Sequence, residues 1–138
     1  MALTPEYLAD KSALARFTHP AVSARLAPLV LDGLVATCPI VDLELLYSAR
    51  SLADYEAIRE ERLAITSYPV TEAVTTRALA VQRLLARRGQ HRLSLPDLLI
   101  AAVAELHDLI VLHYDADYDR LAEVTDQSTE WVVPRGSV

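Results

Sequence analysis

Residues 109–117 read LIVLHYDAD and begin with the clearest strand signal in the chain, the apolar run over 109–112. A short run of this kind, bounded by polar residues, predicts a strand. Asp115 and Asp117 follow where this strand ends. Residues 6–12, EYLADKS, repeat the order, with a short predicted strand over 6–9 and Asp10 directly after it. Because ligands bind beyond the carboxyl ends of parallel strands, we expect these three aspartates at one edge of a sheet.

The rest of the chain alternates short apolar runs with longer helical patterns, which indicates an α/β fold with a mainly parallel sheet. The 138 residues suit one core, and no repeat or linker divides them, so we expect a single domain over residues 1–138. Further strands are predicted at 34–37, 64–66 and 131–133. Helices are predicted at 21–31, 39–49, 52–62 and 71–88, and two more begin near Ser12 and Ser94.

The charge, hydropathy and cysteine count of the chain limit the classes of protein to which it could belong. The net charge of −6 argues against overall electrostatic attraction to nucleic acid, yet carboxylates gathered around a cation would give a nuclease negative charge. No apolar run approaches the ~20 residues of a membrane span, and no signal-peptide pattern is visible. We therefore expect a cytoplasmic protein with no membrane partner. The single cysteine, Cys38, excludes an internal disulfide and a cysteine-based zinc site.

Two further acids lie on predicted helices. At about 100° per residue, Glu44 shares a face with apolar neighbours, whereas Asp42 lies roughly 160° away, so only Glu44 is expected to point inward. Asp97 lies in the first turn of a helix that is apolar almost all round. A carboxylate on an apolar face is costly unless a partner compensates its charge, and Mg²⁺ suits carboxylates and waters.

Each acid also has an ordinary structural explanation. Asp97 could be a first-turn acid favoured by the helix dipole. Asp10 could supply turn or capping chemistry before Ser12. The three aspartates between 115 and 119 could form a solvated turn. Glu44 is the hardest of the acids to explain without a ligand.

Four segments, taken together, resemble the PIN-domain family and, within it, the VapC-type toxins of toxin–antitoxin pairs. Their order and spacing and the chain length agree, and the resemblance covers nearly the whole chain. It implies a three-layer α/β/α domain with a central, mainly parallel sheet and an acidic centre for Mg²⁺, with Mn²⁺ as a substitute. The segments are 7–14 (YLADKSAL), 43–49 (LELLYSA), 95–102 (LPDLLIAA) and 112–119 (LHYDADYD).

The resemblance also implies roles for individual side chains. Four acids would form the catalytic set, two of them as principal metal ligands and two completing the set directly or through metal-bound water. Two other residues would support them, one by hydrogen bonding to a ligand carboxylate. The ligands are Asp10 and Asp97, the completing acids are Glu44 and Asp115, and the supporting residues are Ser12 and Asp117.

Basic residues suggest where RNA could be contacted. Five of the 13 Lys and Arg residues lie between positions 77 and 92. Arg83 and Arg87 fall opposite the apolar stripe of their helix, which indicates a solvated polar face. Arg92, nearer Asp97, is the better candidate for RNA contact. Lys11 is expected to point to solvent.

The resemblance implies an endoribonuclease toxin that cleaves structured RNA, tRNA or rRNA, by metal-activated water. It also implies a cognate VapB-type antitoxin and a toxin homodimer that joins the antitoxin in a hetero-oligomer. The apolar faces of the helices between 39 and 63 could supply the dimer interface. Two alternatives remain at this stage: a catalytically silent PIN-fold interaction module, and a metal-dependent DNA nuclease. Which RNA is cut, and how many metal ions bind, does not follow from the sequence.

Overall fold

The computed structural model describes residues 4–138 and contains a four-stranded sheet in which every strand pairing is parallel. The strand order is β2-β1-β3-β4, so the first and third strands lie at the centre. The expected α/β class with a parallel central sheet is confirmed. The strands are β1 (Tyr7–Ala9), β2 (Val35–Ala36), β3 (Ile110–His113) and β4 (Thr129–Trp131).

Seven helices surround the sheet in the described part of the chain. Six were predicted from the sequence, and α7 was not. None of the helices within residues 4–138 has the length and apolar character needed to cross a membrane. The helices are α1 (Lys11–Leu14), α2 (Pro20–Leu31), α3 (Pro39–Tyr47), α4 (Leu52–Leu63), α5 (Glu72–Ala86), α6 (Leu95–Leu106) and α7 (Asp117–Val124).

The two faces of the sheet belong to two separate apolar clusters, because successive strand residues point to opposite sides. Leu8 and Val111 pack with residues of α3, α5, α6 and α7. Ala9 and Leu112 pack with residues of α1 and α2. Helices therefore cover both faces, which confirms the three-layer α/β/α arrangement. That residues 1–138 form a single domain stays a prediction.

Helix α5 follows its sequence pattern closely. Its four buried residues are the predicted stripe at positions 74, 78, 81 and 85. The helix is followed by Gly89, which has a positive φ of 69°. The N–H of Gln90 then donates to the carbonyl of Leu85 at 2.8 Å, which satisfies an end carbonyl of the helix. Arg83 and Arg87 are exposed, as the solvated-face interpretation requires.

Two predictions of local structure were wrong, and one alternative explanation, the solvated turn, does not hold. Residues 64–66 form no strand; a single parallel bridge joins Thr37 to Ser67 instead, beside a β2 of only two residues. The last strand is Thr129–Trp131 rather than 131–133, because pairing with β3 starts at Val111 and Thr129 and ends at Trp131. The solvated turn at 115–119 is replaced by the start of α7, whose Tyr118 and Leu121 are buried in the core.

Asp42 ties three elements of the fold together. Its Oδ1 accepts a hydrogen bond from the Thr37 hydroxyl at 2.8 Å and from Nε of Arg62 at 2.9 Å. Thr37 follows β2 and is fully buried, and Arg62 lies in the last turn of α4. Asp42 therefore has a structural role on the face of α3 roughly opposite Glu44, in agreement with the helical-wheel argument.

We predict that Asp42→Ala lowers the free energy of unfolding by about 1–3 kcal/mol, because it leaves the Arg62 guanidinium and a buried hydroxyl without their acceptor. Urea denaturation followed by circular dichroism measures this. Asp32→Ala removes an exposed carboxylate and serves as the control, with an expected change within about 0.5 kcal/mol. Equal effects of the two substitutions would contradict the structural role of Asp42.

Candidate metal centre

Asp10 lies directly after the central strand β1 and is almost completely buried, with 3% of its surface exposed. Its backbone N–H donates to the carbonyl of Leu112 at 2.9 Å and continues the pairing of β1 with β3. Its Oδ2 accepts hydrogen bonds from Ser12, at 3.0 Å from the backbone N and 2.6 Å from the hydroxyl. Asp10, rather than Ser12, is therefore the N-cap of α1. Ser12 holds the carboxylate in place, as expected for a supporting residue.

The other oxygen of Asp10 meets a residue that the sequence argument missed. The hydroxyl of Tyr118 lies 2.8 Å from Oδ1 of Asp10 and 3.3 Å from Oδ1 of Asp97. Tyr118 is fully buried. One hydroxyl thus contacts two buried carboxylates from separate elements, β1 and α6. The available signal was the spacing of Tyr118 and Leu121 after an acidic helix start, which predicts the buried face of a short helix.

Three carboxylates come together around the end of β3. Oxygens of Asp97, Asp115 and Asp117 all lie within 4.8 Å of one another. The N–H of Asp117 donates to Oδ1 of Asp115 at 2.9 Å at the beginning of α7. Asp10 adjoins this group through the Tyr118 hydroxyl, while both of its own oxygens accept hydrogen bonds.

Glu44 lines the same polar pocket, as its inward orientation predicted. Its Oε1 is buried and has no hydrogen-bond partner among residues 4–138. Burial, and next the charge of Asp10, raise the pKa of this carboxyl. The pocket has a volume of about 340 Å³. Its lining residues are Asp10, Lys11, Ser12, Ala15, Arg16, Glu44, Ser94, Asp97, Tyr114 and Asp115.

The crowding of negative charge is strongest at Asp97. Burial, then Asp10 and then Asp115, raise its pKa to about 8. The pKa of Asp117 is raised by burial and by Asp115. Burial and the two neighbouring carboxylates also raise the pKa of Tyr118 well above its usual value, so its hydroxyl keeps its proton. Carboxylates this close titrate as a coupled set and ionise together only if positive charge compensates them.

These donors fit a hard divalent cation. Such ions take carboxylate oxygens as ligands, and Mg²⁺ needs only one or two of them with waters. The unpartnered oxygen of Glu44 and the mutual proximity of three aspartates are the features that an added cation would satisfy. Distances favour Asp97, Asp115 and Asp117 as the group that could hold it, with Asp10 adjoining. The assignment of Asp10 and Asp97 as principal ligands stays a prediction.

His113 shapes the loop that carries two of these acids. It is fully buried between the rings of Tyr118 and Trp131, with ring centroids 4.9 and 5.0 Å away. Burial lowers its pKa, so the imidazole is neutral. Its Nδ1 accepts a hydrogen bond from the backbone N of Asp115 at 3.1 Å. His113 therefore positions the loop at Asp115 through packing and one hydrogen bond.

The positive charges around the pocket differ from those predicted. Lys11 lines it and lies close enough to Glu44 to oppose the rise in the pKa of that carboxyl, so the expectation that Lys11 points to solvent was wrong. Arg16, which the sequence argument did not single out, lines it too. Arg92 is exposed and is not a lining residue of this pocket. Its contact with RNA stays a prediction.

Comparison with known proteins identifies the family. The sequence matches the PIN domain over residues 7–124. The chain belongs to the PIN-domain family. The resemblance stated for the four segments is therefore confirmed. Among PIN-domain proteins, it is 46% identical over 137 residues to Ribonuclease VapC21 of Mycobacterium tuberculosis, covering 98% of this chain and 99% of the relative. It is 43% identical over 136 residues to Ribonuclease VapC51 of the same organism, covering 96% and 97%.

Solved PIN-fold structures share the architecture at low sequence identity. DNA-bound VapBC of Salmonella typhimurium contains a chain with a TM-score of 0.77 at 16% identity, covering 94% of this chain and 100% of that one. FitAcB of Neisseria gonorrhoeae gives 0.72 at 21% identity, covering 91% and 97%. These similarities support the fold assignment and nothing finer.

We predict that metal-free protein loses stability as the pH rises from 5 to 8. The folded-state pKa of Asp97 is about 8, against an ordinary 3.8, so the folded protein holds a proton that the unfolded chain has lost. Stability from this group is complete below pH 3.8 and is lost as the pH rises through about 8. Because one pKa unit corresponds to about 1.4 kcal/mol, we expect a loss of at least that size. Urea denaturation in EDTA across this range measures it.

Asp97→Asn should remove most of this pH dependence. Asp108→Asn is the matched control, because Asp108 is exposed and has a φ of 54° that asparagine adopts readily. An unchanged pH dependence in Asp97→Asn would contradict the raised pKa.

Proposed function

We propose that this protein is a metal-dependent endoribonuclease of the VapC type that hydrolyses phosphodiester bonds in structured cellular RNA, tRNA or rRNA. The observation that carries the proposal is the convergence of buried carboxylates in one open pocket at the end of the central strands. The names of the relatives at 43% and 46% identity, which are ribonucleases, support the same class of reaction. We propose the cytoplasm as its compartment, because the proposed substrate is cellular RNA.

The proposed catalytic set is Asp10, Glu44, Asp97 and Asp115, with Ser12 and Asp117 in support. Asp10 and Asp97 would be the principal ligands of Mg²⁺, or of Mn²⁺ in its place, and the nearby Asp115 and Asp117 would complete the site. When bound, the cation would supply Lewis-acid chemistry for hydrolysis of a phosphodiester. The Tyr118 hydroxyl and the Ser12 hydroxyl keep the Asp10 carboxylate in a fixed orientation, so little reorganisation is needed when the site fills.

The phosphorus–oxygen bond that water breaks determines which end of each product carries the phosphate. A water oxygen forms a bond to phosphorus, the bond from phosphorus to the 3′ oxygen breaks, and a proton passes to that leaving oxygen. The products carry a 5′-phosphate and a 3′-hydroxyl. The 2′-hydroxyl takes no part in this chemistry, so preference for RNA over DNA has to come from binding.

A VapB-type antitoxin is the partner we propose. Solved structures with the same fold are toxin–antitoxin assemblies. The physical basis for inhibition is the acidic pocket itself, because a basic side chain of a partner could compensate the repelling carboxylates and at the same time exclude RNA.

A homodimer is the second assembly we propose, through an apolar patch next to the acidic pocket. Leu43 and Tyr47 on α3 are 63% and 90% exposed, and Leu95 at the start of α6 is 62% exposed. These residues and Leu99 line one shallow pocket that also contains Lys11 and Glu44. An exposed apolar surface of this kind is typical of an interface.

We predict that purified protein cuts total RNA into discrete fragments with 5′-phosphate ends when Mg²⁺ or Mn²⁺ is present, and that EDTA abolishes cleavage. Asp10→Asn should reduce the rate by at least about a hundredfold, because it removes a carboxylate from the acidic centre. Sequencing of the fragment ends measures both the chemistry and the substrate. Asp108→Asn is the matched control and should leave the rate unchanged, since Asp108 is exposed and lies outside the pocket.

Two outcomes would replace this proposal. Preferential cleavage of DNA in a competition assay would identify a DNA nuclease. If neither metal supports cleavage, and calorimetry detects no ion bound near Asp10 and Asp97, the protein is a silent interaction module.

We predict that the protein elutes at twice its mass of 15.2 kDa and that Leu43→Glu converts it to a monomer. A charge at the centre of the apolar patch would be buried without a partner on association. Size-exclusion chromatography with light scattering measures this. Leu79→Glu, at an exposed position of α5, is the control and should leave the mass unchanged. A monomeric unsubstituted protein would rule out the dimer.

A further inference from the structure

Arg16 occupies an unusual position at the acidic pocket. It follows α1 and lines the pocket together with Asp10, Asp97 and Asp115. Its Nη1 donates to the backbone carbonyl of Ser12 at 2.7 Å. Its guanidinium carbon lies 4.4 Å from the centre of the Tyr114 ring. Two neutral groups therefore hold the arginine in place.

The charge of Arg16 is not compensated by any acidic side chain within ion-pair distance in residues 4–138. Five other arginines among residues 4–138 do form such ion pairs, for example Arg62 with Asp42 and Arg77 with Glu105. Of the five N–H donors of the Arg16 guanidinium, only one makes a hydrogen bond within the described chain. Several donors and a full positive charge remain for a ligand in the pocket.

A fixed arginine beside a cluster of carboxylates suits an anionic ligand that binds together with a cation. A cation at the carboxylates and an arginine at the rim would together attract an anion placed between them. Guanidinium groups bind phosphate oxygens in a bidentate manner, and an arginine already held by a ring and a carbonyl loses little freedom on binding. A nucleic-acid backbone phosphate has this chemistry.

We propose that Arg16 is a substrate-binding residue that contacts a backbone phosphate of RNA seated in the acidic pocket, with Lys11 as a second cation on the same rim. The proposal rests on the ribonuclease function proposed above and deepens it. It adds Arg16 to Arg92, the RNA-contact candidate that the sequence suggested. Because the protein has a net charge of −6, these two local cations carry much of the attraction to RNA at the site.

The test is RNA binding in a background that does not cleave. Asp10→Asn protein in Mg²⁺ is titrated onto a labelled structured RNA, and fluorescence anisotropy is measured over a range of salt concentrations. Adding Arg16→Gln should weaken binding about tenfold and reduce the slope of log affinity against log salt by roughly 0.7–0.9, the share of one phosphate contact. Adding Arg83→Gln, the matched control at an exposed position on the solvated face of α5, should change affinity less than about twofold and leave the slope unchanged.

Two further measurements separate binding from a structural role. Arg16→Lys keeps the charge but not the planar fork, and it should restore the salt slope while recovering only part of the affinity. Mn²⁺ affinity should not fall in Arg16→Gln, and the melting temperature should be unchanged, if the pocket is intact. Loss of RNA affinity with an unchanged salt slope, or no restoration by lysine, would overturn the proposal.

The outcomes also distinguish this proposal from the function on which it rests. If the Asp10→Asn protein binds RNA and Arg16→Gln binds it equally well, the role of Arg16 is wrong and the ribonuclease stands. If unsubstituted protein neither cuts nor binds RNA, the ribonuclease function is wrong, and the role of Arg16 is wrong with it.

Discussion

The parallel pairing of β1 with β3 is the constraint on which the rest of the molecule depends. Ala9 aligns with Leu112, so the chain leaves both central strands at the same level of the sheet. Asp10 and the loop that carries Asp115 must then lie side by side. The helices that bring Glu44 and Asp97 cover the face of the sheet to which Leu8 and Val111 belong. Removing this register would separate the acids without changing any of them.

Placing like charges together opposes folding, and the structure offsets this with neutral hydrogen bonds and protons. The Tyr118 hydroxyl donates to Oδ1 of Asp10, and the Ser12 hydroxyl donates to Oδ2. Burial, and next the charges of Asp10 and Asp115, raise the pKa of Asp97, so its ionised form is disfavoured in the folded protein. Such strain at a site, paid for by a well-packed core elsewhere, is typical of functional centres. This arrangement agrees with the metal-binding role proposed for the acidic pocket.

Much of the fold and most of the acids could be predicted because their signals are local. A strand followed by an acid, or an acid on an apolar helix face, is visible within a few residues. Tyr118 and Arg16 could not be placed in this way. The Tyr118 hydroxyl meets Asp10, 108 positions away, and Arg16 contacts a ring contributed by Tyr114 from another strand end. Helix α7, eight residues long, was obscured by the two aspartates in its first turn.

Asp10 has two roles, because it caps α1 and contributes to the acidic centre. Asparagine caps a helix about as well as aspartate, and the loss of one charge relieves its neighbours. If Asp10 has the catalytic role proposed above, a single nucleotide change from aspartate to asparagine would abolish hydrolysis and leave the domain folded. Descendants that no longer benefit from cutting nucleic acid can keep the domain for its surfaces alone. One substitution at this position would thus separate an enzyme from a binding protein, and the domain would be folded in both.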